Sequence, residues 1–385
     1  MSKKPDYRVP LMSEIAALPW NGFNVVSTFS GCGGSCLGYR MAGFKVRWAC
    51  EFIPAAQQTY KANHPDSFLE TRDIRFVQPE DILKASGLKA GEIDLFDGSP
   101  PCASFSTAGK REAGWGKAKK YSDTVQRTDD LFFEYSRLIK GTQPKVFVAE
   151  NVSGLVKGTA KGYFLEILRE LKACGYEVSC KVLDAQWLGV PQLRQRTIFV
   201  GVRNDLKLKP VYPKPLTYRY SVRDALPYIT SVSCLLSGKQ PGMKSSEHPC
   251  PTVTTGDTGG NGRHQVEAEA DISRYAIGAE WDKLKPGEQS DKYFQLVKCD
   301  PDKPPNTILQ SSAAFPSAAS VVHPTEKRKF SIAELKRICG FPDDFILTGT
   351  YAQQWERLGR AVPPVMMSHI ATAIRDGILS KVSQC

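Results

Sequence analysis

One cysteine in this chain is placed to do covalent chemistry. The stretch Asp97-Gly98-Ser99-Pro100-Pro101-Cys102-Ala103-Ser104 follows a short apolar run, Ile93 to Asp97. Paired prolines restrict the backbone, so the turn presents a single thiol at the end of a strand. The chain has 11 cysteines with no C-x-x-C spacing, and its 5 histidines are not spaced with them as a ligand set, so no metal centre is expected. Glu150-Asn151-Val152 closes a second apolar run, Lys145 to Ala149, and brings a carboxylate to the same strand edge. Gln192-Leu-Arg194-Gln-Arg196 leads into a third, Thr197 to Val202, and the i, i+2 spacing turns both guanidinium groups to one side of an extended segment. Taken alone, the two arginines also read as surface cations. A thiol, a carboxylate and two cations at neighbouring strand ends together describe a reaction centre rather than a binding module.

A second constellation points to a nucleoside-containing cofactor. An apolar run from Phe23 ends in Phe29-Ser30-Gly31-Cys32-Gly33-Gly34, and the next run, Lys45 to Cys50, ends in Glu51. Glycines let a turn approach a ligand closely, and an acid at the end of the following strand can hydrogen-bond ribose hydroxyls. Asp73-Ile74, after a third strand near Leu69, offers a carboxylate to an exocyclic amine, although its spacing suits a solvated turn equally well. After Cys102, the segment Thr107 to Thr128 carries six Lys or Arg residues against Glu112 and Asp123, with Trp115 and Tyr121 among them. A long basic loop beside a nucleophile is suited to closing over a nucleic-acid backbone.

The elements that position these residues follow a βαβ rhythm. Strands are expected at Phe23 to Phe29, Lys45 to Cys50, Ile93 to Asp97, Lys145 to Ala149, Tyr176 to Leu183 and Thr197 to Val202, most of them apolar enough to be covered on both faces. Pro54 opens a helix that stops before Pro65, and Asp129 to Gly141 and Gly162 to Gly175 carry helical apolar stripes. The expected fold is therefore α/β: a mostly parallel sheet with helices on both faces and ligands at the carboxyl ends of its strands. After about Arg203 the texture becomes proline- and glycine-rich. A weak echo there, His248-Pro-Cys-Pro-Thr-Val-Thr against Pro304-Pro-Asn-Thr-Ile-Leu, is read as coincidence. Helices return at Ser331, with a capping box to Glu334, and near Pro363-Pro364, where Val365, Met366, Ile370, Ala373 and Ile374 form a stripe expected to pack on the main sheet.

Composition sets the outer bounds. The 385 residues are 41% hydrophobic and 24% charged, which excludes fibrous and low-complexity classes and gives enough core to fold without disulfides. No apolar stretch is long enough to span a membrane, and Pro10, Glu14 and Pro19 interrupt any signal-peptide core. The net charge of +11 fits an anionic partner such as nucleic acid.

The ordered set of motifs resembles the C5-cytosine DNA methyltransferases over nearly the whole chain, from Phe29 to Val362. The resemblance implies a Rossmann-like S-adenosylmethionine-dependent sheet with a smaller, loop-rich target-recognition domain. It makes residues 1–204 catalytic and cofactor-binding, 205–325 target-recognising, and 326–385 a return segment. Phe29, Gly31, Gly33, Gly34, Glu51, Phe52, Asp73, Ile74, Pro101, Leu131, Ala361 and Val362 are then cofactor contacts. Cys102 is implied to add to C6 of a flipped-out cytosine, with Glu150 at N3 and the amine, Arg196 at O2, and Arg194 at a phosphate or the same edge. Ser106, Lys110, Arg111, Gln192 and Arg194 are implied DNA contacts. Three positions depart from the family pattern: Ser27 where an acid is common, Ala103 where Gln is usual, and Arg360 where Asn is usual, beside the methionine end of the cofactor. The implied partner is double-stranded DNA, with a cognate restriction endonuclease as a further candidate. The protein is expected to be a monomer in the cytoplasm of a prokaryote or encoded by a phage, associated with the nucleoid. Alternatives are a transfer-RNA cytosine methyltransferase, disfavoured because the chain has no Cys-Phe-Thr, a silent DNA-binding relative, and a nicotinamide-dependent oxidoreductase, which would leave Cys102, Glu150 and both arginines unexplained.

Overall fold

The computed structural model describes residues 4–101, 119–121, 124–126, 130–156, 161–228, 270–313 and 317–382. Seven strands form the central sheet: β1 (Asn24–Thr28), β2 (Lys45–Cys50), β3 (Phe68–Glu70), β4 (Leu95–Gly98), β5 (Val146–Val152), β6 (Tyr176–Asp184) and β7 (Gln195–Arg203). Their order across the sheet is β3-β2-β1-β4-β5-β7-β6. The pairings from β3 through to β5 are parallel, and β7 runs antiparallel to both β5 and β6. The expected mostly parallel sheet is therefore present, with one reversed strand. The chain winds outward from β1 in one direction and from β4 in the other. The gap between these two strands is the switch point at which open α/β sheets receive ligands.

Strand β1 is buried along its whole length, and its alternating side chains feed two cores. Val25 packs with Leu95, Val146, Tyr39 and Met366 on one face, while Val26 packs with Trp48, Phe96, Phe147 and Tyr135 on the other. Helix α1 (Gly34–Met41) follows the glycine turn, and α2 (Pro54–Asn63), α4 (Leu131–Thr142) and α5 (Lys161–Ala173) lie close to their expected spans. The amphipathic turns of α3 (Pro79–Ser86) were not expected, nor was α7 (Tyr351–Arg360), whose buried Trp355 and Leu358 are separated by charged residues. Strand β6 departs from the expectation of two covered faces. It is an edge strand, and Lys181 and Val182 are exposed.

The last part of the chain returns to the first core, as its stripe suggests. In α6 (Ile332–Ile338) the Ser331 hydroxyl accepts from Glu334 N at 3.2 Å, and the Glu334 carboxylate accepts from Ser331 N at 2.7 Å, completing the capping box. Helix α8 (Pro364–Ile374) buries Met366, Met367, Ile370, Ala371 and Ile374, while Val365 and Ala373 are only partly covered. It packs against α1, where a β-carbon on Gly38 would stand 2.6 Å from Met367 Cβ. Each large side chain buried there contributes on the order of 2 kcal/mol.

Between the two halves, the described part of the second region holds a two-residue parallel pair, Val297–Lys298 with Val321–Val322, over Ile272, Ile277 and Leu296. From it, residues 305–311 cross back as a strap to the sheet. Leu193 N donates to Pro305 O at 2.9 Å, Thr307 Oγ1 donates to Leu193 O, and Trp355 Nε1 donates to Leu309 O at 2.9 Å. No helix among the described residues is long and apolar enough to cross a membrane.

Candidate active site

A cavity of about 800 Å³ opens at the carboxyl ends of β1, β2, β4 and β5. Its first wall is the turn after β1. Phe29 and Gly31 both take left-handed backbone, with φ of +54° and +56°, and space is open where a Gly31 β-carbon would stand. The turn is held from the side: Ser30 N donates to Cys50 O at 2.9 Å, and Gly31 N donates to Glu51 Oε2 at 2.7 Å. The other oxygen, Glu51 Oε1, accepts from Ile53 N at 2.7 Å. Burial raises the Glu51 carboxyl above its ordinary value, opposed by these two N–H groups and by Arg357 and Arg360. Each carboxylate oxygen has a second lone-pair site, so Glu51 can still accept two ligand hydroxyls. Phe52, Asp73, Ile74, Pro101, Leu131, Ala361 and Val362 also line the cavity, as does Gly34. An acid, an aromatic face and a turn with no side chain fit an S-adenosyl group.

Gly33 is the exception among the expected cofactor contacts. It does not line the cavity; its β-carbon would stand 2.1 Å from His64 Nε2, so the glycine is required by the buried imidazole behind the turn. Burial, helped by Arg40, pushes His64 down to about 3 and keeps that ring neutral.

The opposite wall carries the reactive groups. Glu150, at the end of β5, forms an ion pair with Arg196 Nε at 2.6 Å, and both side chains are about nine-tenths buried. Burial pulls Arg196 below its usual value, and Glu150 pulls it back. Asn151 Nδ2 donates to Pro100 O at 3.1 Å, tying the proline turn to β5. Pro100 and Pro101 line the same cavity. Cys102, Ala103, Ser106, Lys110 and Arg111 lie outside the described residues.

Two expected contacts are placed elsewhere. Arg194 precedes β7, so strand alternation does not pair it with Arg196. It is buried behind the cavity, and Nη2 donates to Gly359 O at 2.9 Å and Ala361 O at 2.8 Å. Burial, with Arg196 nearby, lowers its guanidinium to about 9. In this geometry Arg194 does not line the cavity with Arg196; it latches the 359–361 segment to the sheet. Gln192 is likewise fully buried, with Nε2 donating to Cys339 Sγ at 3.2 Å, and it does not reach DNA in this structure.

Two of the three departures from the family pattern, Ser27 and Arg360, lie among the described residues and have partners there. Ser27 Oγ donates to Asp97 Oδ2 at 2.8 Å, and Tyr39 OH donates to Asp97 Oδ1 at 2.9 Å, placing a buried acid beside the turn from the adjacent strand. Burial raises Asp97 to about 7; the two hydroxyls oppose the shift and Glu150 adds to it. Arg360 lines the cavity and is held by Glu356 through Nε at 2.8 Å.

Sequence reasoning missed the strap residues Thr307 to Ser311, Arg357, and the group Asp184, Gln186 and Gln195, all of which line the cavity. For Thr307 there was a signal: it sits in the Pro304-Pro-Asn-Thr-Ile-Leu segment that was read as coincidence.

Comparison with known proteins agrees with this geometry. The family model for C-5 cytosine-specific DNA methylase matches residues 23–376. Type II methyltransferase M.NgoPII of Neisseria gonorrhoeae is 31% identical over 94% of this chain and 98% of its own length. Type II methyltransferase M.MthTI of Methanothermobacter thermautotrophicus is 30% identical over 93% and 99%. Among solved structures, a prophage-encoded Escherichia coli protein described as a DNA modification methyltransferase has a TM-score of 0.67 at 22% identity, covering 92% of this chain and 99% of that one. Spodoptera frugiperda DNMT2 has a TM-score of 0.60 at 17% identity, covering 90% and 98%. The chain belongs to the C-5 cytosine-specific DNA methylase family.

Proposed function

We propose that this enzyme, which methylates C5 of cytosine in DNA from S-adenosylmethionine, does so through a covalent adduct between Cys102 Sγ and cytosine C6. The observation that carries this reading is the buried Glu150–Arg196 pair, 2.6 Å apart, in one cavity with Pro100, Pro101 and the Glu51 turn. S-adenosylmethionine supplies an electrophilic methyl group on a sulfonium. Glu51 would take its ribose hydroxyls, Phe52 and Ile74 its base, and Leu131, Ala361 and Val362 its remaining surface.

Cytosine C5 is a weak nucleophile and gains electron density only when a group adds at C6. Thiolate addition forms the sulfur–C6 bond and moves the C5–C6 π electrons toward C5 and the N3 edge. A proton held between Glu150 and N3 neutralises that charge as it develops, the other Glu150 oxygen accepts from the exocyclic amine, and Arg196 holds both Glu150 and O2. After methylation, loss of the C5 proton to a base restores the double bond and expels Cys102. Because C5 and C6 are stacked inside a duplex, the base must leave the helix first, and the basic loop after Cys102 is suited to close behind it. Residues 205–325 are our candidate for reading the surrounding sequence, and a restriction endonuclease of the same specificity is a candidate partner of a monomeric enzyme.

The test is nucleoside mass spectrometry after incubation with S-adenosylmethionine and, separately, genomic DNA and total RNA. New 5-methylcytosine in DNA with wild type, and none with Cys102→Ala despite unchanged cofactor affinity, is the expected result. Transfer by Cys102→Ala would overturn the nucleophile assignment, and product confined to RNA would overturn the substrate.

A further inference from the structure

The cavity has two ends, set by strand order. Glu51 follows β2 on one side of the switch point, whereas Asp184, Gln186 and Gln195 line the cavity from β6 and β7, beyond the Glu150–Arg196 pair. With the cofactor wall at the β2 end, the β6 end is where the substrate strand enters. At that end stands an exposed arginine, Arg219, outside the motifs that define the site. Its guanidinium lies 4.8 Å from the centroid of the Trp187 ring, and its Nη1 donates to Gln186 Oε1 at 3.0 Å.

The chain holds this arginine in place through several contacts. Gln186 is 7% exposed, and its Nε2 donates to Asp184 Oδ2 at 2.9 Å, which fixes the amide so that its oxygen faces Arg219. Leu216 N donates to Trp187 O at 2.8 Å, and Tyr220 is buried, so the segment carrying Arg219 is anchored on both sides. An exposed arginine ordinarily samples many rotamers, and restricting one costs side-chain entropy. Stacking on an indole and donating to one amide leaves the other N–H groups of the fork available for a planar, bidentate acceptor.

We propose that Arg219 is a DNA contact, a pre-positioned cation that takes a backbone phosphate next to the extruded cytosine. This rests on the reading of the cavity as a cytosine site. A base held against Glu150 and Arg196 leaves its own flanking phosphates at the cavity mouth, and Arg219 stands just outside it, hydrogen-bonded to the cavity-lining Gln186. Trp187 and Gln186 act as positioning residues for it.

The experiment measures the affinity of the full-length enzyme for a short random-sequence duplex across a salt series, together with its S-adenosylmethionine affinity and methyl transfer to genomic DNA. Arg219→Ala is expected to weaken duplex binding several-fold, to reduce the slope of log affinity against log salt by about 0.9, and to leave cofactor affinity unchanged. It should raise KM for DNA without changing kcat. Arg219→Lys is expected to restore the slope and only part of the affinity, since lysine keeps the charge and loses the fork. An unchanged slope in Arg219→Ala overturns the proposal, and so does a matching loss of cofactor affinity, which would mark a structural role. If wild type itself transfers no methyl group to DNA, the cytosine-site reading fails instead, so the two failures are distinguishable.

Discussion

Asp97 gives the sharpest quantitative test of how the site is built. Its carboxyl is fully buried at the end of β4, with the hydroxyls of Ser27 and Tyr39 as partners, and burial raises it from 3.8 to about 7. The folded state therefore binds this proton more tightly than the unfolded state does. Between the unfolded and folded values, stability falls by about 1.36 kcal/mol for each unit of rising pH, and above the folded value the whole penalty stands. Asp97→Asn keeps the shape and stays neutral throughout. Going from pH ~8.5 down to pH ~5.5, wild type should gain about 2 kcal/mol relative to the variant, because pH ~5.5 lies about 1.5 units below the folded value. Urea denaturation of both proteins across that range measures the difference, in which the other titrating groups cancel to the extent that they are independent of Asp97. A difference that stays flat with pH would mean that Asp97 titrates as an ordinary carboxylate, and the account of this buried acid would be refuted.

Two further variants probe the opposing walls. Asn151→Ala removes the 3.1 Å hydrogen bond to Pro100 O, and leaving that carbonyl without its donor should cost about 1–3 kcal/mol. We expect kcat to fall with cofactor affinity unchanged; wild-type turnover would show that the proline turn does not depend on β5. Gly34→Ala would set a β-carbon 2.5 Å from Val362 O, a backbone atom with little freedom to move. Isothermal titration should show weaker S-adenosylmethionine binding and calorimetry a lower Tm, whereas unchanged binding would separate the 361–362 wall from the cofactor.

The sequence was most informative where chemistry and backbone constraint coincide. A glycine turn and an acid at the end of the next strand were legible as two parts of one wall, and the structure joins them through the Gly31 N–Glu51 Oε2 hydrogen bond. Glu150 and Arg196 were legible for the same reason: each sits at a strand end whose period is two. Arg194 was misplaced because alternation was extended one residue beyond the strand, and its buried partners are backbone carbonyls some 165 residues away in the chain, which carry no side-chain signature. Helix α7 was overlooked because its apolar positions are separated by charges that point into the cavity or toward Glu356. The strap at 305–311 is irregular backbone, held by main-chain hydrogen bonds, and irregular backbone has no period to detect.

The wall formed by Gly359 to Val362 also bears on biosynthesis. The cavity draws on the turn after β1 and on residues more than three hundred positions later, and Arg194 latches the late segment to the sheet. Chains emerge from the ribosome amino terminus first, and early domains begin to fold before the rest is made. A nascent chain can therefore assemble the sheet early yet lack one side of its cofactor wall until translation has passed Val362. A prematurely terminated product that kept its nucleophile and its DNA-facing charges would still lack part of the cofactor wall.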